Sequence, residues 1–372
     1  MSEILKPSGP IQPWGEASAY FIHNWRCAGS TLNSLLASNF TDDYLKVGMA
    51  FSQFGWPDSS SPELTTLADL RKRFKPGCII GGHLFAGLEA FLPGPWQIWM
   101  NAREPMSRLR SGILRFHASG LAHIRAKDLM EHTGGLETPE DVATILAGPL
   151  KREGNGLCRR LAGLSACQDL DLDAQSSNLE RIPLLESAIP EAQLLKLGRA
   201  NLPRIKVLIL CEYLHASVLC LETIYGLRPL INPFSDLRHN PVQLGKPQAS
   251  HKALLKQCSA KLEEHVRADL QLWPHLKAHF QLQLEKTKIS KQDIKIRELI
   301  HAKPLIDPRW MVQPTDTVAL VKGWSARIAE RALVEPELGE RLINTVCSWH
   351  RLEDDAAEKI HHYSHKIFRS KR

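Results

Sequence analysis

Three short segments carry the side chains that could do chemistry. The first, Phe21-Ile22-His23-Asn24-Trp25-Arg26-Cys27-Ala28-Gly29-Ser30-Thr31-Leu32, reads as a strand, a tight turn of small residues, and hydroxyls at a helix start. Backbone N–H groups at a helix N-terminus point at whatever lies beyond it, and the helix dipole favours an anion there. Gly29 lets the backbone approach closely, Ser30 and Thr31 offer hydroxyls, and Arg26 adds a fixed positive charge, so the segment suits a phosphate. An ordinary strand-to-helix turn with a Ser/Thr cap has the same pattern. It is not a Walker loop: Asn24 and Ser30 stand where GxxxxGK[ST] needs its first Gly and its Lys. The second segment runs from Asn101 to Ser111 and enters a helix at Pro105. Arg103 falls at a strand's carboxyl end, where open α/β sheets bind ligands, and Ser111 follows about two turns into the helix. An exposed Arg-rich helix is the plainer reading. The third, Gly81-Gly82-His83-Leu84-Phe85, sets His83 just past another strand, as a general base or as a structural imidazole.

The elements that must position these residues are legible as apolar runs. Ala17–His23, Cys78–Ile80, Gln97–Asn101 and Ile205–Leu210 are short and continuous, as strands of a parallel sheet covered on both faces are. Helical spacing separates them. Thr31 to Phe40 carries Leu32, Leu35 and Leu36. Ser61-Pro62-Glu63 predicts a helix start that Pro76-Gly77 closes. Met106 to His117 places Leu109, Ile113 and Phe116 on one face and Arg108, Ser111 and Arg115 on another. The region 120–200 reads as helical and loop-rich, with breaks at Gly134-Gly135 and Gly154, and 226–248 as a long ordered loop. Helical spacing resumes from Ser250 to about Lys286, and Pro304, Pro308 and Pro314 suggest a linker before a helical tail. The expected class is α/β, with a P-loop-like central parallel sheet flanked by helices and a helical C-terminal extension. The expected divisions are a flexible N-terminus (1–16), a main domain (17–286) and the extension (287–372).

The chain has 372 residues, enough for a full core, and its 43% hydrophobic and 23% charged content is that of an ordinary globular protein. A net charge of +7 fits a partner bearing phosphate, sulfate or carboxylate; without a basic block it gives little support to nucleic acid, and none is expected. The eight cysteines form no CxxC pair, which suits a reducing compartment. Met1 to Glu16 lacks the apolar core of a signal peptide, and Val207 to Leu227 is broken by Glu212, His215 and Glu222, so a soluble, cytoplasmic chain without a membrane span is expected. His275/His279 and His361/His365 have spacing that could ligate zinc, but no third ligand stands with them; they read as solvated helix faces, and no metal is expected. Lys366 to Arg372 reads as a disordered end.

Together the segments resemble the carbohydrate sulfotransferases of the heparan-sulfate type and their bacterial relatives. The family's His-x-Pro-Lys-x-Ala-Gly-Thr-Thr-Leu is similar to His23 through Leu32, and its Gly-His-Phe-like stretch to Gly82-His83-Leu84. Its Arg-Asp-Pro-x-x-Arg-x-x-Ser resembles Arg103-Glu104-Pro105, Arg108 and Ser111. Its Asn-x-x-x-Arg-x-Leu-x-Gly resembles Asn155, Arg159 or Arg160, Leu161 and Gly163, and its strand-then-Glu-x-x-x-x-Ser resembles Leu210-Cys211-Glu212 and Ser217. The motifs keep the family's order over about Ala17 to Lys286. Trp25-Arg26 replaces the family's Pro-Lys, whose Lys lies near the oxygen bridging sulfur and the 5′-phosphate; Arg keeps the charge in a planar fork.

The resemblance implies transfer of a sulfuryl group from PAPS (3′-phosphoadenosine 5′-phosphosulfate) to a hydroxyl of a carbohydrate or related acceptor, leaving PAP. It implies that Arg26, Cys27, Ala28, Gly29, Ser30 and Thr31 hold the 5′-phosphosulfate. Arg103 and Ser111 would hold the 3′-phosphate, Arg159 or Arg160 would close the nucleotide site, His83 would be the base, and Arg26 would stabilise the leaving oxygen. A P-loop-type phosphotransferase and a catalytically degenerate sulfotransferase-fold binding protein stand as alternatives. The sequence carries no signal for oligomeric state.

Overall fold

The computed structural model describes residues 17–48, 64, 66–120, 136–148, 150–166, 189–232, 249–302, 305, 317–349 and 351–371. In chain order β1 (Ser18–Ile22) leads to α1 (Gly29–Phe40), β2 (Tyr44–Lys46), α2 (Leu67–Arg73), β3 (Ile79–Gly82), β4 (Trp96–Ala102) and α3 (Pro105–Gly120). Then come α4 (Pro139–Ala147), α5 (Gly156–Ala162), α6 (Glu191–Asn201), β5 (Ile205–Leu210) and α7 (Leu214–Tyr225). The chain ends in α8 (Ala249–Gln257), α9 (Ser259–His265), α10 (Arg267–Thr287), α11 (Lys291–Ile300), α12 (Thr317–Ala332), α13 (Gly339–Cys347) and α14 (Asp354–Lys371).

The four apolar runs form strands. A fifth strand, β2, joins them at the edge, and the five-stranded sheet runs β2-β3-β1-β4-β5, parallel throughout. β2 is three residues long, too short for a periodic signal in the sequence. Successive side chains of a strand point to opposite faces. Ala19 and Phe21 accordingly meet α1 and α7 through Leu32, Leu35, Val218 and Leu221. Tyr20 and Ile22 face α2, α5, α6 and α10 through Leu70, Leu161, Leu194 and Leu276. A third cluster joins α3 to α4, α8 and α9.

The C-terminal helices build their own core around Trp324, Ile343, Trp349, Ile360 and Phe368. That core is tied to the sheet layer. Trp349 Nε1 donates to Asn39 Oδ1 at 2.8 Å, Arg351 donates to the Ser38 carbonyl, and Arg297 of α11 pairs with Glu222 of α7 in a buried contact. The end expected to be disordered is helical to Lys371, because Phe368 is buried and Arg369 reaches Glu340 at 3.2 Å.

Helix α2 starts at Leu67, with Thr66 and Asp69 forming a capping box; Ser61-Pro62-Glu63 lies outside the described residues. So do Gly134-Gly135, most of the expected 226–248 loop and the prolines of the expected linker. Among the described residues no helix is long and apolar enough to cross a membrane.

Candidate active site

The order of the strands decides where a ligand can sit. β1 and β4 are neighbours, but the chain leaves β1 towards β2 on one side and leaves β4 towards β5 on the other. Such a reversal opens a crevice at the carboxyl ends of the two strands. A cavity of about 610 Å³ lies there, lined from the β1–α1 turn by His23, Trp25, Arg26 and Ala28 to Thr31. His83 lines it beyond β3, Arg103 beyond β4, Cys211, Glu212, Leu214 and His215 beyond β5, and Glu298 from α11.

The turn is held by β4. Asn101 Oδ1 accepts from the Asn24 N–H at 2.6 Å, Asn101 Nδ2 donates to the Cys27 carbonyl at 2.6 Å, and Asn24 Nδ2 donates to the Asn101 carbonyl. Within it Arg26 and Ala28 both take left-handed backbone, at φ 61° and 60°. Neither is glycine, and such conformations cost about 1–3 kcal/mol each unless the surroundings enforce them. Ala28 is the N-cap of α1 and has no side chain that can cap it. The N–H groups of the first turn, on Gly29, Ser30 and Thr31, thus begin a helix whose start is open to the cavity. Gly29 also makes room for a ring: a Cβ there would lie 1.3 Å from His23 Nε2, so any larger residue would displace that side chain. The His23 ring therefore lies on the start of α1.

His23 and His83 stack, ring centroids 4.3 Å apart at 24°. His83 Nδ1 lies 3.0 Å from the His23 carbonyl, which can only accept. The proton is therefore on Nδ1, and Nε2 carries the free lone pair. Burial, then the charges of Arg160 and Lys46, pull His83 down to about 3. His23 is pushed well down by burial, His83, Lys46 and Arg160. Both rings are neutral at ordinary pH, so His83 is a base with less proton affinity than an unperturbed imidazole.

The arginines separate into two groups. Arg103 lines the cavity. Arg26 donates through Nε (3.1 Å) and Nη2 (2.9 Å) to Ser111 Oγ, so a cation and a hydroxyl expected to serve different phosphates form one patch. Trp25 packs beside it: a Cβ on Gly112 would lie 2.3 Å from its ring. Arg159 and Arg160 do not line the cavity. Arg159 Nε donates to the Gly154 carbonyl at 2.9 Å. Arg160 is buried and donates to the carbonyls of His83 (2.6 Å) and Leu84 (3.3 Å), fixing the loop that carries the imidazole. Cys27 is fully buried beneath the turn, its thiol pushed up by burial. Arg108, expected on the polar face of α3, is buried between Glu153 (2.9 Å) and Asp269 (3.1 Å). The Arg115 and Phe116 side chains lie outside the described residues.

Glu104 caps α3, accepting from Met106 (3.0 Å) and Ser107 (2.6 Å). Of the histidine pairs at helical spacing, His279 bonds the Ile205 carbonyl at 3.0 Å, and His361 and His365 share Asn344 Oδ1 at 2.9 and 3.4 Å. Sequence reasoning missed Leu214, His215 and Glu298. The first two follow directly on a recognised strand end, which is a usable signal; Glu298 reaches the cavity only through the docking of α11.

No protein-family model matches the chain. No curated protein and no solved structure does either. What the site can do follows from its own chemistry. It offers an open helix start and two guanidinium groups for anions, and beside them a neutral imidazole whose free nitrogen can take a proton.

Proposed function

We propose that the protein is a PAPS-dependent sulfotransferase acting on a hydroxyl acceptor of carbohydrate or related type, on a P-loop-like sheet. One observation carries the reading: the uncapped start of α1, Arg103, His83 and Arg26, which is bonded to Ser111 behind it, line a single cavity. The residues fit the donor. Its two anionic ends need two sites, and the first-turn N–H groups of α1 with Ser30 and Thr31 suit the 5′-phosphosulfate. Arg103 with the Arg26–Ser111 patch suits the 3′-phosphate.

Bound PAPS would supply a sulfuryl group that passes from the 5′-phosphate oxygen to the acceptor oxygen. The chain's own part is positioning and charge. His83 Nε2 accepts the hydroxyl proton, and the Nδ1–H bond to the His23 carbonyl holds the ring in the needed tautomer. Arg160, through the His83 carbonyl, keeps that loop in place. The N–H groups of α1, aimed by the Asn24–Asn101 bonds, meet the charge that grows on the leaving oxygen. Arg26, turned onto Ser111, acts at the nucleotide end rather than as a copy of a compact ammonium.

Calorimetric titration with PAP, and with adenosine 5′-phosphate as control, tests the reading. Binding of PAP that weakens by about 10–100-fold without the 3′-phosphate, and similarly in Arg103→Ala, is expected. Binding of magnesium–ATP with no binding of PAP would overturn it.

A further inference from the structure

The turn that leads into α1 carries one large aromatic side chain, and α3 is built to hold it. Trp25 is half-buried and lines the cavity, as His23 and Arg26 do. Its benzene edge lies against α3: a Cβ on Gly112 would lie 2.3 Å from Cζ3 and 2.5 Å from Cη2. Gly112 stands in the interior of that helix, where glycine is the poorest helix former after proline. Any side chain there would push the indole out of its seat. The ring also packs against the apolar cluster that joins α3 to α4, α8 and α9. Among the described residues no group stacks on the ring or accepts from its N–H.

What surrounds the ring decides what it suits. Arg26, the next residue, donates to Ser111, the residue before Gly112, so indole and guanidinium lie along the same stretch of α3. The open N–H groups of α1 begin at Gly29, on the same turn. A turn that only wraps a phosphate needs small residues such as Ala28 and Gly29, which let the backbone come close. A flat aromatic surface among anion-holding groups suits a nucleotide, whose phosphates take the charges and whose base takes the ring. Every base has a π-face, so stacking on an indole needs no further polar partner. The family that the segment resembles has proline at this place, so the resemblance assigns Trp25 no role.

We propose that Trp25 is the platform on which the nucleotide's base stacks, with Gly112 as the socket that holds it. The assignment rests on reading the start of α1 and the arginines as a nucleotide site. It does not depend on which nucleotide that is.

Calorimetry with PAP and with its base-free counterpart, methyl riboside 3,5-bisphosphate, tests the platform. Trp25→Leu should bind PAP about 5–50-fold more weakly and the base-free compound as the unaltered protein does. Trp25→Phe keeps a ring and should restore most of the lost affinity. Tryptophan fluorescence gives a second reading with the fold intact. PAP should quench the emission of the unaltered protein more than that of Trp25→Phe, and the base-free compound should quench neither. Unchanged PAP affinity in Trp25→Leu, or an equal loss for both ligands, overturns the platform. The same measurements with magnesium–ATP and magnesium–tripolyphosphate keep the two readings apart. If only ATP binds and Trp25→Leu weakens it, the donor reading falls and the platform stands. Protein that binds neither nucleotide overturns both.

Discussion

The starts of α4 and α11 on the surface and the start of α1 at the cavity solve the same problem differently. Every helix begins with N–H groups that have no partner within it. At α4 the Thr138 hydroxyl accepts from Asp141 N and the Asp141 carboxylate accepts from Thr138 N; Ser290 and Asp293 do the same for α11. Those starts are closed by the chain's own side chains. Helix α1 begins at Ala28, held in left-handed backbone, with no side-chain cap, against a cavity. Helices α5, α6, α7, α9, α10 and α13 also start without a side-chain cap, so the open start of α1 matters through what it faces, the cavity lined by residues 28–31.

The largest effect should come from the base beside the open start. His83→Ala is expected to lower turnover by about 10²–10⁴-fold while PAP still binds, read by steady-state kinetics beside calorimetry. Unchanged turnover would remove His83 from the mechanism.

Closing the open start should come next. Ala28→Asp places a carboxylate where an anion is expected, on a backbone that Asp tolerates better than most residues. PAP affinity should fall by about 10–100-fold with little change in melting temperature. An unchanged affinity would mean that the donor's anion sits elsewhere.

Acid should separate the two regions. His23, His83 and His301 have depressed values in the folded state, so the unfolded chain binds more protons below about pH 6.5. Their stabilisation is complete above that pH and is lost progressively as pH falls towards the folded value, about 3 for His83. Asp141 and Asp293 have the same sign in a lower window. Slight burial raises each, but N–H and hydroxyl hydrogen bonds outweigh it and hold them low, so their contribution is lost only below about pH 4. Urea midpoints should therefore decline already between pH 6.5 and 4.5, and a flat profile there would contradict the neutral imidazoles.

The smallest effect belongs to the closed starts. Thr138→Ala should cost about 1 kcal/mol in denaturant unfolding and leave PAP affinity alone. A loss of affinity would show that the two kinds of helix start are coupled.

Much of this architecture is legible before folding. Four of five strands show as apolar runs because strands buried on both faces need them, and the turn from His23 to Thr31 shows as small and hydroxyl residues before a helical pattern. The rest depends on tertiary partners. Arg108 has the spacing of a surface arginine, and Glu153 and Asp269, both far along the chain, make its burial possible. Arg160 resembles a ligand-binding arginine by motif, yet the carbonyls of His83 and Leu84 take its donors. Glu298 carries no local signal because its place is set by Arg297 reaching Glu222. The Thr66 start of α2 was hidden by a competing Ser-Pro-Glu pattern five residues earlier.

The central claim is that the open start of α1 receives the donor's anionic group, and amide NMR of the labelled protein titrated with PAP tests it most directly. The account predicts that the Gly29, Ser30 and Thr31 amides shift downfield as PAP binds while those of Asp69, Asp141 and Asp293 stay still. Binding of PAP with no change at Gly29 to Thr31 would contradict it.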